Sequence, residues 1–104
     1  MIAIENRQGA IVRRSRNLRG IIAHLGQHGA SEVHIWRELN GNGRYQFHFG
    51  NGDTTRGEFA DFAVLCGWVM SRRNMRGADL YINGQRSGQV NPRHTFLSKH
   101  AAQG

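Results

Sequence analysis

Glu32-Val33-His34-Ile35-Trp36-Arg37-Glu38-Leu39-Asn40-Gly41-Asn42-Gly43-Arg44-Tyr45-Gln46-Phe47-His48-Phe49 is the stretch on which the fold turns. On its first arm, a strand over 32–39, Val33, Ile35 and Leu39 share one side with Arg37, while Glu32, His34, Trp36 and Glu38 share the other. On its second arm Tyr45, Phe47 and Phe49 alternate with Arg44, Gln46 and His48. Asn40-Gly41-Asn42-Gly43 between them predicts a hairpin turn, because Asn and Gly accept positive φ. A second turn, Gly50-Asn51-Gly52-Asp53, leads to a third strand over 54–59. The expected unit is an antiparallel meander with one apolar and one polar face.

On either side of the meander the period changes from 2 to 3.6. Leu18, Ile21, Ile22 and Leu25 recur at i, i+3, i+4 and i+7, which predicts a helix over 16–28 capped by Ser15 or Asn17 and ended by Gly29. Phe62, Leu65, Cys66 and Val69 repeat that stripe behind Asp61, a predicted N-cap, and Trp68 widens it. Two short hairpins flank this core: Ile2–Glu5 with Ala10–Arg13 around Asn6-Arg7-Gln8-Gly9, and Asp79–Ile82 with a strand near 86–90 around Asn83-Gly84. The expected class is α+β, order ββαβββαββ: an antiparallel sheet of central meander plus terminal hairpins, with two helices packed on one face. The expected core is Leu18, Ile21, Ile22, Leu25, Val33, Ile35, Tyr45, Phe47, Phe49, Phe62, Leu65, Cys66 and Val69.

Composition bounds the function. The chain has 104 residues, 14 basic and 7 acidic, with a formal net charge of +7. A typical domain has about 100–150 residues, so one domain is expected over 1–97, with a flexible tail over 98–104. No apolar run approaches the roughly 18–20 residues of a bilayer-spanning helix, so no membrane association of that kind is expected. No basic and then apolar leader opens the sequence, and the expected location is cytoplasmic. A single cysteine excludes an internal disulfide and a multi-thiolate metal site.

Every basic residue except Lys99 is arginine, whose planar fork of donors fits phosphate and carboxylate and stacks on aromatic planes. Arg13, Arg14, Arg16 and Arg19 surround the expected start of the first helix, and Arg72, Arg73 and Arg76 gather at the expected end of the second. A cation cluster at a helix N-terminus opposes the dipole, which favours a functional reason for the first run. On the polar face of the meander, His34, Trp36, Arg44 and His48 have the composition of a base-stacking platform or of a protein hot spot.

His24 and His28 have the i, i+4 spacing of two imidazoles on one metal. No third ligand is evident, however, and Leu25-Gly26-Gln27 lacks the glutamate of the metalloprotease signature. They are read as surface histidines near a helix end, Cys66 as a core thiol, and no metal or other cofactor is expected. The carboxylates Glu5, Glu32, Glu38, Asp53, Glu58, Asp61 and Asp79 are scattered, and no phosphate-binding loop is present, so no catalytic residues are assigned and no enzyme is expected.

The 16–73 segment is similar to double-stranded-RNA-binding domains in its α-β-β-β-α order. That family opens its second helix with a lysine-rich phosphate-contacting motif, whereas Asp61-Phe62-Ala63-Val64 here is apolar, so no residue role carries over. The expectation is a small basic binding protein that contacts nucleic acid, DNA or RNA, or a nucleoprotein complex, through the arginine patches and the aromatic sheet face. The alternative is a protein-interaction module, such as a phage or mobile-element inhibitor or adaptor docking on an acidic host surface. An unpaired sheet edge would add dimerisation by strand addition.

Overall fold

β1 (Ile2–Glu5) and β2 (Ile11–Ser15) form the first hairpin, and α1 (Arg19–His28) follows. The meander is β3 (Ala30–Arg37), β4 (Gly43–Phe49) and β5 (Thr54–Phe59). After it come α2 (Phe62–Met70), a 3₁₀ turn over Arg73–Met75, and the hairpin β6 (Asp79–Ile82) and β7 (Gln85–Gln89). These elements come from a computed structural model that describes residues 1–91; residues 92–97 of the expected domain and the expected tail over 98–104 lie outside it.

All seven strands join one sheet in the order β2-β1-β5-β4-β3-β6-β7. The wholly antiparallel sheet expected from the sequence is corrected here: β6 lies beside β3 and runs parallel to it, Val33 beside Leu80 and His34 beside Tyr81. Connectivity explains the direction. β5 and β3 are both antiparallel to β4, and a strand–helix–strand crossover re-enters the sheet in the direction it left. β6, arriving from β5 through α2, must therefore parallel β3.

Both helices lie over the face that carries Val33, Ile35, Tyr45, Phe47 and Phe49, and their buried residues Ile21, Leu25, Leu65, Cys66 and Val69 complete one core. Ile4, Met70, Met75, Ala78, Leu80 and Val90 also enter it. α2 starts as expected, the Asp61 carboxylate accepting the Val64 N–H at 3.0 Å. It packs so closely on β4 that a β-carbon on Gly43 would stand 2.8 Å from the Leu65 side chain. Burial, with a smaller push from the Asp61 carboxylate, raises the Cys66 thiol to about 11, so it is a protonated core thiol at neutral pH.

Three local expectations are corrected. α1 begins at Arg19, not 16, because Ser15 still belongs to β2; the Asn17 side chain accepts the Arg19 N–H at 3.0 Å. Ile22, expected in the core, is 38% exposed. The inward stripe of α1 runs through Ile21, His24 and Leu25, and at about 100° per residue that turns Ile22 to the flank. β3 ends at Arg37, since Glu38 and Asn42 already close the turn (N–H to carbonyl, 2.8 Å), and this leaves Leu39 fully exposed.

Candidate functional site

The helix-free face of the sheet is assembled by register. Trp36 lies opposite Arg44, His34 opposite Gln46, and Glu32 opposite His48. The β6–β7 hairpin pairs beside β3, so Trp36 is half-buried at the sheet surface and is not covered by a terminal hairpin. Arg44 stacks its guanidinium 4.0 Å above the Trp36 ring while its Nε–H donates to Glu38 at 2.7 Å. Such a cation–π contact contributes about 0.5–1 kcal/mol at a partly exposed site.

Tyr81 joins this group. Its ring is 4.4 Å from that of His34 with 4° between the planes. Neighbouring strands are about 4.8 Å apart, so these two rings stand upright and face one another across the strands. They present edges to solvent, and their facing surfaces are already in contact. His34 further lies 5.8 Å from Trp36 and 5.3 Å from His48. Tyr81 was missed at the sequence level because its neighbours depend on the β3–β6 pairing, which the alternation of 79–82 does not specify.

The charge on this face is balanced. Arg14, Arg44, Arg56 and Arg86 share it with Glu5, Glu32, Glu58 and Asp79, as the pairings Arg14–Ala3, Arg56–Gln46, Glu58–Arg44 and Arg86–Tyr81 place them. Arg86 bonds to Asp79 at 3.0 Å, and Arg44 to Glu38 at its rim.

The arginine excess lies elsewhere. Arg13 and Arg14 do not form a common patch, since adjacent strand residues point to opposite faces: Arg14 reaches the open face and Arg13 the helix side. Arg72, Arg73 and Arg76 are not on the last turn of α2, which stops at Met70 with the Ser71 hydroxyl donating to the Trp68 carbonyl at 2.8 Å. They occupy the irregular segment beyond it. The Arg72 guanidinium lies 5.1 Å from the Trp68 ring. A groove between this segment and α1 is lined by Ile22, Leu25, Ser71, Arg72, Arg73 and Asn74. Arg19 precedes Ile22 by about one turn on α1. The structure thus places Arg72 and Arg73 on the helix side, separated by the thickness of the sheet and helix layers from His34, Trp36, Arg44 and His48. Among the described residues Arg16, Arg19, Arg72, Arg73 and Arg76 have no carboxylate within ion-pair distance.

A third group was not expected. His24, read as a surface histidine, is 5% exposed, and its Nε2 lies 2.8 Å from Oδ2 of Asp53, itself 8% exposed. Arg13 Nε–H donates to His24 Nδ1 at 3.3 Å, which makes Nδ1 the acceptor and leaves Nε2 to donate to Asp53. The Asn51 amide also donates to Asp53 Oδ2 at 2.8 Å. Burial pushes the Asp53 carboxyl up, but hydrogen bonds from Asn51 and His24, with smaller electrostatic contributions from the two histidines, outweigh it and hold the group below its ordinary value. The turn bearing Asp53 is pressed against the end of α1, where a β-carbon on Gly50 would meet the His28 carbonyl oxygen at 2.3 Å. An imidazole oriented by a carboxylate is half of a catalytic relay, but the place of a nucleophile on its far nitrogen is taken by Arg13. The i, i+4 histidines were legible in the sequence; Asp53, 29 residues away from His24, was not. No family model, no curated protein and no solved structure matches this chain.

Proposed function

We propose that this chain acts by binding, not by catalysis, and that its helix side grips a polyanion, a nucleic acid or the nucleic-acid part of a nucleoprotein complex. The observation that carries this reading is the location of surplus charge: Arg72 and Arg73 line one groove without an ion-paired carboxylate, whereas the open sheet face carries four arginines and four carboxylates. Guanidinium groups beside a helix flank suit phosphates, and the core-packed Trp68 ring supports the Arg72 guanidinium from beneath.

Fluorescence anisotropy with labelled RNA and DNA at two salt concentrations tests it. Binding weakens steeply with salt, and replacing Arg72, Arg73 and Arg76 together by Ala flattens the salt slope by about 2–3. Absence of binding at low salt eliminates the reading.

The open sheet face supports a second reading, a protein interface. Its upright aromatic rings, balanced charge and the residues Trp36, Tyr81 and Arg44 are the composition of a hot-spot patch, and a neutral face has little pull on phosphates. Pull-down with Trp36→Ala against the parent chain tests it: a stoichiometric protein partner is lost from the variant.

A further inference from the structure

We infer that His24, His28 and Asp53 form a binding site for a divalent transition-metal cation of zinc type. Their ligand atoms all lie within 4.8 Å of one another. Two imidazoles and a carboxylate are a donor set that suits such an ion, with a fourth position left for water or substrate. The fold builds the site from two independent pieces. One helical turn of α1 supplies both histidines, and the β4–β5 turn supplies the carboxylate. The close approach of Gly50 to the His28 carbonyl locks the two pieces together. His24 and Asp53 are buried, and His28 is exposed, so the ion would enter from the His28 side.

As it stands the site is closed by a hydrogen bond. His24 Nε2 and Asp53 Oδ2 are 2.8 Å apart, whereas a tetrahedral ion with bonds of about 2 Å holds its ligands about 3.3 Å apart. The ion takes the place of the Nε2 proton, which moves to Nδ1. Nδ1–H no longer accepts from Arg13, so Arg13 must withdraw, and its Nη2 already has Gln27 Oε1 as a second partner at 3.3 Å. Arg13 is therefore the gate of the site: in the closed state it holds the tautomer that bonds to Asp53, and it opposes the cation by charge. This assignment is independent of the polyanion groove.

Titration of Zn²⁺ into the full chain, in competition with a chromophoric chelator, tests it. One ion binds per chain. His28→Ala, an exposed position that leaves the core intact, weakens binding by about tenfold or more, and Arg13→Gln tightens it by about threefold or more. Asp53→Asn weakens it while circular dichroism remains that of the parent. No binding, equal binding by His28→Ala, weaker binding by Arg13→Gln, or a loss that follows His34→Ala instead would each overturn the assignment.

Discussion

His34 and His24 each have a carboxylate oxygen within hydrogen-bond distance, Glu32 at 3.1 Å for the first and Asp53 at 2.8 Å for the second. The first pair joins two positions of one strand, the second joins a helix to a turn 29 residues away in the chain, and both imidazoles touch a second aromatic ring. Their surroundings differ. The Glu32 side chain is 41% exposed, so water competes for its oxygens and screens its charge. Asp53 and His24 are under the helix layer, where losing one partner strands the other without solvent to replace it. The same chemical pair is therefore an adaptable surface element in one place and a fixed structural element in the other.

The sharpest way to break this comparison is to remove each carboxylate in turn. Asp53→Ala lowers stability by about 2–4 kcal/mol, seen as a shift of the urea midpoint, because it leaves the buried His24 Nε2–H without its acceptor. Acid sharpens it further. The Asp53 carboxyl is held below its ordinary value in the folded state, so its contribution is complete above the unfolded carboxylate value and is lost as pH falls through the folded one. Urea midpoints measured from pH 7 downwards should fall in the parent chain, and Asp53→Asn should flatten that decline. The smallest effect belongs to the open face: Glu32→Gln changes stability by less than about 0.5 kcal/mol, and a midpoint shift as large as that of Asp53→Ala would erase the distinction.

The two regions also differ in how far the sequence reveals them. The polar face of β3 and β4 could be listed in advance because strand alternation has a period of 2 and the Asn-Gly turn sets the pairing; even so the turn closed two residues earlier than expected, which placed Trp36 opposite Arg44. The His24 pair resisted prediction, since the expected stripe of Leu18, Ile21, Ile22 and Leu25 left position 24 on the surface, and no local pattern shows that it meets Asp53 from a turn 29 residues away. Arginine spacing was misleading for a related reason. Arg13 and Arg14 are neighbours in the chain and face apart on a strand, whereas Arg72 and Arg73 line one groove with Ile22 and Leu25 from a helix some fifty residues earlier in the chain.

Sequence alone determined the two helices and their order among the strands, the apolar stripe of α2, the meander and the surplus of positive charge, because these follow from local periodicity, capping and composition. Tertiary structure decided the parallel placement of β6, the separation of balanced from unbalanced arginines, and the burial of His24 against Asp53. Each of those depends on which strand edge or helix flank a distant segment meets, a choice made by the packing of the whole core and by no local pattern.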